Sequence, residues 1–259
     1  MKRLPQLLLN LLFPLKCPLC GTLTEGATAR LCPACHEKME EELALPCPHC
    51  GEPAASCYCI PTNLRGNSAL IGGRSHICVG FYRPNHTGSP LSRLIYYLKH
   101  ETDDSAARIF AERLSHALLR HFLASGEDIR SWTFTYPPRT RSAADTYGLD
   151  QAQRIARLCA RRTGASFASL LRRRGGAEQK SLRGVERIDN AALSLQVHSP
   201  ARCAGKKVIL VDDIVTTGAT AAVTSLLLRD AGTEAVFCAS VLKTIPGSKE
   251  KNKADETPL

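Results

Sequence analysis

The sequence predicts an α/β protein in which a domain built around a parallel sheet follows a small, cysteine-rich metal-binding domain. Three observations lead to this prediction. Eight of the twelve cysteines precede residue 60 and stand in closely spaced pairs. Further along, apolar runs typical of buried strands alternate with segments of helical periodicity. One of these runs, VILVDDIVTTGAT at residues 208–220, ends in two adjacent acids and a glycine-containing turn.

Length and composition narrow the class of protein. A chain of 259 residues with 44% hydrophobic content is long and apolar enough for one ordinary domain and a small one, which excludes a chain that is disordered throughout. The net charge is +10, and residues 139–187 hold twelve Lys and Arg against four Asp and Glu. This stretch is expected to attract polyanions such as nucleotide phosphates or nucleic acid, or to be an ordinary solvated basic face.

The first residues imitate a secretory signal, with Lys2 and Arg3 before a short apolar run. The run has no small-residue cleavage site and leads directly into a cysteine pair, so we interpret residues 7–13 as a short helix that covers a neighbouring apolar surface. No segment reaches the length needed to span a bilayer. The cysteine usage fits metal binding in a reducing compartment better than disulfides, which predicts a cytoplasmic location.

The cysteine pairs have the spacing of metal-binding turns. Two intervening residues let both thiolates point at one metal, and Gly21 and Gly51 follow the CPLC and CPHC turns. Eight thiolates predict two closed, structural zinc sites, although a crossed pairing, or His36 and His49 as substitute ligands, stays open. The simplest assignment is Cys17, Cys20, Cys32 and Cys35 for one site and Cys47, Cys50, Cys57 and Cys59 for the other.

The rest of the chain alternates between predicted strands and helices, which favours a parallel sheet. Arg154, Arg157 and Arg161 share one face of a predicted helix and are expected to be solvated. The predicted strands are residues 76–82, 132–136, 208–215 and 235–241, and the predicted helices are residues 91–98, 103–123, 150–162 and 218–231. The predicted domains are residues 1–62 for the amino-terminal helix and metal sites, residues 75–243 for the sheet domain, and residues 244–259 for a disordered polar tail.

The motif at residues 208–220 has a definite chemistry. Asp212 and Asp213 come at the carboxyl end of a predicted strand, where ligands bind in open α/β sheets. Two carboxylates can accept hydrogen bonds from the two hydroxyls of a cis-diol such as ribose. The following turn offers backbone amides at a helix start, which favours a phosphate. The motif therefore predicts a sugar-phosphate site, and the sequence contains neither a GxxxxGK loop nor a GxGxxG turn after a strand.

This motif resembles the phosphoribosyl pyrophosphate signature of type I phosphoribosyltransferases. Together with the paired cysteines and the segments LIYYLKHE, YGLDQAQRIA and EQKSLRGVERIDNAAL, it resembles the ComF family of amidophosphoribosyltransferase-like competence proteins, over residues 7–243. The resemblance implies a phosphoribosyltransferase-like domain after a double zinc ribbon. It also implies binding of phosphoribosyl pyrophosphate with Mg²⁺, and an association with DNA uptake.

The resemblance also implies residue roles. Asp212 and Asp213 would hold the ribose hydroxyls, Arg139 and Arg141 would contact pyrophosphate, and Lys99 matches a family lysine whose role the sequence does not define. The 5′-phosphate would lie against Thr216, Thr217, Gly218, Ala219 and Thr220, and a loop at residues 172–187, with Gln179 and Arg187, would close over the site. The chain departs from the family pattern at residues 136–138 and at Tyr147, which removes a positive charge from the pyrophosphate side.

Two functions of different class follow. The first is transfer of phosphoribosyl to an acceptor that the sequence does not name, with catalysis by electrostatic stabilisation of the leaving pyrophosphate. The second is a non-catalytic competence factor that binds single-stranded DNA or proteins, with a sugar-phosphate pocket that senses a ligand or is vestigial. The low aromatic content, 5%, disfavours a DNA reader based on base stacking.

Overall fold

A computed structural model of the chain describes residues 15–24, 31–57, 59, 76–83, 88–101, 103–139, 150–173 and 194–244. In this part of the chain the helices are α1 (Pro33–Ala44), α2 (Pro90–His100), α3 (Ser105–Ser125), α4 (Gln151–Thr163), α5 (Pro200–Cys203) and α6 (Ala219–Asp230), with a 3₁₀ turn at Ile129–Ser131. The strands are β1 (His76–Tyr82), β2 (Trp132–Thr135), β3 (Ser166–Phe167), β4 (Leu171–Arg173), β5 (Leu195–Val197), β6 (Lys207–Val215) and β7 (Ala235–Thr244).

The described strands form one parallel sheet and one small antiparallel pair. The sheet has the order β1-β7-β6-β2-β3, and every neighbouring pair in it is parallel. Strands β4 and β5 pair separately and antiparallel. The predicted fold class, a parallel-sheet α/β domain with a cysteine-rich module before it, is therefore confirmed.

Strand β6 lies inside the sheet and is covered on both faces. Ile209 and Val211 belong to the apolar cluster formed with α3 and α4, whereas Val208 and Leu210 belong to the cluster on the side of α6. All four of these side chains are at most 1% exposed. Burial on both faces explains why the sequence of this strand shows an unbroken apolar run instead of alternation.

Strand β1 runs from residue 76 to 82 as the sequence predicts, and the main helices begin and end within three residues of their predicted bounds. Helix α1 was not predicted, because its exposed surface is polar and Met39 is its one fully buried residue. Strands β3, β4 and β5 are too short to show a period. Strand β7 continues past the predicted end at residue 241 and includes a buried lysine, Lys243.

One predicted surface is partly wrong. Arg154 was expected to be solvated, but its side chain is 9% exposed and its guanidinium donates to Asp104 Oδ1 at 2.8 Å. It also donates to the carbonyl oxygen of Asp103, so it fixes the start of α3 against α4. Arg157 and Arg161 do lie on an exposed face.

Predictions for residues 7–13, 140–149, 174–193 and 245–259 lie outside the described residues. Within the described ranges, no helix has the length and apolar character required to cross a membrane.

Gly80 of β1 is where the cysteine-rich module, α2 and the sheet come closest. A β-carbon at this position would lie 2.9 Å from Leu91 of α2 and 3.2 Å from both Leu43 of α1 and Leu242 of β7. Three different elements therefore share the space that a side chain at residue 80 would need.

We expect Gly80→Val to lower the free energy of unfolding by about 1–3 kcal/mol, because overpacking forces these leucines from their positions. For a domain of this size, each 1 kcal/mol lowers Tm by about 2–4 °C, measured by differential scanning calorimetry. Ala124→Val, which introduces the same side chain at an exposed position near the end of α3, is the control. Equal Tm values for the two variants would contradict the close approach at Gly80.

Candidate functional site

The two adjacent acids lie at the carboxyl end of β6, where the parallel strands end together. Asp212 is in register with Ser240 of β7, and Asp213 is 8% exposed. Each carboxylate accepts a hydrogen bond from the backbone of the next residue. Asp213 N–H donates to Asp212 Oδ1 at 2.9 Å, and Ile214 N–H donates to Asp213 Oδ1 at 2.8 Å. These local bonds orient both carboxylates at the edge of the sheet where α/β proteins bind ligands.

The electrostatics of the two acids differ. Burial, followed by the neighbouring Asp213 carboxylate, raises the pKa of Asp212 well above its ordinary value. Asp213 instead forms an ion pair in which Arg139 Nη2 donates to Asp213 Oδ2 at 2.7 Å. The two side chains of this pair are 21% and 12% exposed, so the pair is shielded from water. One acid thus carries a balanced charge, and the other tends towards the neutral form.

Arg139 belongs to the loop that follows β2, and this loop is held on two sides. Asp150 caps the start of α4 by accepting from Gln153 N–H at 3.1 Å, and its second oxygen accepts from Arg139 N–H at 2.9 Å. Arg173 of β4 donates from Nε to the carbonyl oxygen of Pro138 at 2.7 Å. Burial raises the pKa of Asp150 and lowers that of Arg173. Pro138 and Arg139 are therefore held in position by the protein itself.

Sequence reasoning missed Asp150 as a member of this site, and it placed Arg173 in a loop at residues 172–187, whereas Arg172 and Arg173 belong to strand β4. The signal for Asp150 was present, because an Asp three residues before Gln153 at the start of a periodic segment is typical of a helix cap. The particular contact of Arg173 has no local pattern, since it joins residues 35 positions apart and depends on the β4–β5 pair.

The turn between β6 and α6 holds the predicted phosphate-contacting residues. Gly218 has φ of +79°, a left-handed conformation that glycine adopts without strain, and α6 begins at the next residue. Ala219 N–H donates to Thr217 Oγ1 at 3.4 Å, which closes the turn. The first amides of an α-helix have no partner within the helix, so the start of α6 presents donors at the same edge as the acids.

The structure places the remaining predicted residues differently. Lys99 lies in the last turn of α2, and within the described part of the chain no hydrogen bond or ion pair joins it to the acids. Arg141, Gln179 and Arg187 lie outside the described residues. Arg139 is thus the predicted basic residue that directly contacts an acid of this site.

The eight cysteines form two clusters with the uncrossed pairing. One contains Cys17, Cys20, Cys32 and Cys35, the other contains Cys47, Cys50, Cys57 and Cys59, and within each cluster all sulfur atoms lie within 4.8 Å of one another. The Cys20–Cys32 and Cys50–Cys57 Sγ distances are both 3.5 Å. Zinc bonded to four sulfurs at about 2.3 Å requires sulfur separations of roughly 3.8 Å, so the residues fit structural zinc.

The same turn builds both clusters. Gly21 and Gly51 each have φ of +74°. Their N–H groups donate to the carbonyl oxygens of Cys17 and Cys47 at 2.8 and 2.9 Å. His36, an alternative ligand in the sequence, contacts Glu40 and Arg113 instead. Neither His36 nor His49 belongs to the sulfur clusters found among the described residues.

Two family models match separate parts of the chain. A family model described as a double zinc ribbon domain matches residues 8–64, and one described as a phosphoribosyl transferase domain matches residues 141–257. The adenine phosphoribosyltransferase of Syntrophotalea carbinolica is 31% identical over 71 residues, which are 27% of this chain and 42% of that enzyme. The chain therefore spans less than half the length of this curated relative.

Solved structures of low identity are also similar. The glutamine phosphoribosylpyrophosphate amidotransferase of B. subtilis is 18% identical, with 58% of this chain and 30% of that chain covered and a TM-score of 0.38. The hypoxanthine phosphoribosyltransferase of Staphylococcus aureus is 12% identical, with 53% and 62% covered and a TM-score of 0.32. The two matched domain families show a zinc-ribbon segment followed by a phosphoribosyltransferase-like domain, which agrees in general terms with the ComF architecture.

The two clusters predict the metal content. We expect elemental analysis of the purified chain to find two zinc ions per molecule and Cys50→Ser to reduce this to about one, because three thiolates hold zinc less tightly than four. Cys203→Ser, at a buried cysteine outside both clusters, should keep two. A wild-type value well below two would contradict the assignment.

Because its pKa is raised, the ionised Asp212 carboxylate is expected to destabilise the folded protein. An unfolded Asp ionises near pH 4, whereas ionisation of Asp212 in the folded protein requires a higher pH, so the wild type loses stability as pH rises through this interval. We expect Asp212→Asn to raise Tm at pH 7 by about 2–4 °C for each 1 kcal/mol of relieved repulsion.

The gain from Asp212→Asn should vanish below pH 4, where the wild-type carboxyl is neutral in both states, and thermal melts across pH 3–8 measure it. Glu41→Gln, at an exposed acid of α1, is the control for loss of a carboxylate. If Asp212→Asn were less stable than the wild type at pH 7, the interpretation that ionised Asp212 destabilises the folded protein would be wrong.

Proposed function

We propose that the chain binds phosphoribosyl pyrophosphate with Mg²⁺ and transfers its phosphoribosyl group to an acceptor. The observation that carries this proposal is the acid pair Asp212–Asp213 at the carboxyl end of β6, followed at once by a glycine turn and the start of α6. A pair of carboxyls and a row of backbone amides on one short segment suit a ligand that has a diol and a phosphate a few ångströms apart.

The carboxyls are suited to the ribose hydroxyls. Asp212 tends towards the neutral form, and a neutral carboxyl both donates and accepts, whereas the Asp213 side chain accepts from Arg139. Each hydroxyl of a cis-diol also both donates and accepts. This arrangement supports one hydroxyl on each acid, with the bonds to ionised Asp213 the stronger ones.

The turn at residues 216–220 is suited to the 5′-phosphate. Thr216 is exposed and Thr217 and Thr220 are partly exposed, so their hydroxyls can supplement the amide donors. Gly218 and Ala219 are buried and let the backbone itself approach the ligand. A dianionic phosphate at this position also gains from the dipole of α6.

Arg139 is suited to the pyrophosphate. Its guanidinium already lies 2.7 Å from Asp213, within one side-chain rotation of a ligand held by the acids, and its backbone is anchored by Asp150. A guanidinium forms two parallel bonds with phosphate oxygens. Arg141, Gln179, Arg187 and Lys99 keep the roles implied by family resemblance as further predictions.

The carboxyls of Asp150, Asp212 and Asp213 offer the oxygen ligands that Mg²⁺ prefers. When bound, Mg²⁺ neutralises charge on the pyrophosphate and so makes it a better leaving group. The bond from the anomeric carbon to pyrophosphate breaks, the electron pair leaves with pyrophosphate, and the acceptor nucleophile forms the new bond. The protein contributes by holding ribose and leaving group in line and by stabilising the separated charges.

The resemblance to the ComF family adds a context of DNA uptake in the cytoplasm, which stays a prediction. The alternative function, a non-catalytic factor that binds single-stranded DNA or proteins, rests on the zinc ribbon and on the basic stretch at residues 139–187. Seven of the twelve Lys and Arg residues in that stretch lie in the described part of the chain, and their charge alone does not name a partner. It is therefore one of the outcomes that the following experiment separates.

We expect phosphoribosyl pyrophosphate with Mg²⁺ to raise Tm. At a ligand concentration 100-fold above Kd the gain is about 2.7 kcal/mol, or roughly 5–10 °C. Asp212→Asn with Asp213→Asn should abolish the shift, and Glu37→Gln with Glu41→Gln, two exposed acids of α1, should retain it. The measurement is a ligand-dependent thermal melt.

An unchanged melt at millimolar ligand would remove the proposal. Where the shift is present, release of pyrophosphate in the presence of candidate acceptors distinguishes a transferase from a ligand sensor. Binding of single-stranded DNA that weakens steeply with salt, together with no ligand-dependent shift, would instead support the alternative function.

A further inference from the structure

Lys243 near the end of β7 is 1% exposed, which is rare for a lysine. It is in register with Phe81 of β1 and Val215 of β6, so neighbouring strands flank it on both sides. Its Nζ donates to the carbonyl oxygen of Cys57 at 3.0 Å and lies 5.7 Å from the centre of the Phe81 ring. One carbonyl, one ring face and the thiol of Cys78, which also hydrogen-bonds to Lys243, do not balance a positive charge in an apolar setting, so a negative group is required nearby.

No carboxylate meets this requirement in the part of the chain that the structure describes. There, none of the ion pairs with an N···O distance of 4.0 Å or less includes Lys243. The nearby Cys78 directs its Sγ to the carbonyl oxygen of Ala54 at 3.3 Å. Cys57 is the residue that links Lys243 to negative charge, because its carbonyl accepts from the lysine and its sulfur belongs to the second cluster.

The second cluster has an excess of negative charge when metal is bound. Four thiolates around one Zn²⁺ leave a net charge of two negative units. Cys47 is 2% exposed, and it packs with Ala54, Cys78 and Phe81 in one apolar cluster. Water therefore does not screen this side of the metal site, and a buried cation stabilises it more than a surface cation would.

The first cluster has a corresponding contact. Arg93 of α2 donates from Nη2 to the carbonyl oxygen of Leu19, which lies between the ligands Cys17 and Cys20. Arg93 is exposed, whereas Lys243 is buried. Among the described residues, Arg93 of α2 thus contacts the backbone of the first cluster and Lys243 of β7 contacts that of the second. The contact of Lys243 is the one that is shielded from solvent.

We propose that Lys243 is the counter-ion of the second four-cysteine zinc site and that this charge interaction fastens the site to the parallel sheet. Lys243 is a positioning residue, because it touches the backbone of a ligand residue and acts on the metal through charge. Metal binding at this cluster and its attachment to β7 then stabilise each other. The inference concerns the metal site alone and does not depend on phosphoribosyl pyrophosphate.

The test uses the full, zinc-loaded chain with Lys243→Met and Lys243→Arg. Zinc transfer to a competing chromogenic chelator gives the release rates, and time-resolved alkylation followed by peptide mass spectrometry assigns each rate to a cluster. We expect Lys243→Met to release zinc from Cys47, Cys50, Cys57 and Cys59 about 10–100-fold faster, the usual effect of losing an outer partner of a metal ligand. Lys243→Arg, which keeps the charge, should stay within about threefold of wild type by the same standard.

Arg93→Met is the matched control, and its effect should be confined to Cys17, Cys20, Cys32 and Cys35. Lys243→Gln, which keeps a donor but removes the charge, replaces Lys243→Met in the comparison if the methionine variant does not fold. Unchanged release from the second cluster in the uncharged variants would overturn the proposal. Equal acceleration in Lys243→Arg, or equal acceleration at both clusters, would also overturn it, since the effect would then come from packing or global stability.

Discussion

The burial of β6 on both faces is the constraint on which the rest of the structure depends. Because α3 and α4 cover one face and α6 covers the other, no charged side chain fits along the strand until it reaches the edge of the sheet. Asp212 and Asp213 stand at that edge, where buried and polar surroundings meet. Burial, followed by the Asp213 carboxylate, raises the pKa of Asp212 at this position, and Asp213 is the acid that pairs with Arg139.

The cysteine-rich module depends on the sheet in a related way. Its helix α1 has little apolar surface, so a module of this size gains its stability from metal and from contact with its neighbours. Leu43 packs into the space left by Gly80, and Glu42 accepts hydrogen bonds from Ser89 Oγ and Leu91 N–H at the start of α2. The metal sites and the sheet therefore form one connected structure within the described residues, although they perform separate chemistry.

How far the sequence could predict this structure depends on the range of each interaction. The closely spaced cysteines, the acid pair and the helix start predicted at residue 218 are local patterns that the sequence shows, whereas the uncrossed grouping of the cysteine pairs was one of the open alternatives. The contact of Arg173 with Pro138 and that of Lys243 with Cys57 join residues 35 and 186 positions apart, and no local pattern reports such partners. Arg154 was misjudged for the same reason: its helical face suggested solvent, but it binds Asp103 and Asp104, the residues just before α3.

Arg139 is held by two acids through two different parts of the residue. Asp150 binds its backbone N–H and Asp213 binds its guanidinium. A ligand that competes for Asp213 can therefore displace the guanidinium while the peptide stays in place. Exchange at this carboxylate then takes place on the timescale of a side-chain rotation instead of the microseconds to milliseconds of a loop rearrangement. Under the proposed function, release of Arg139 from Asp213 would therefore not require this part of the backbone to move.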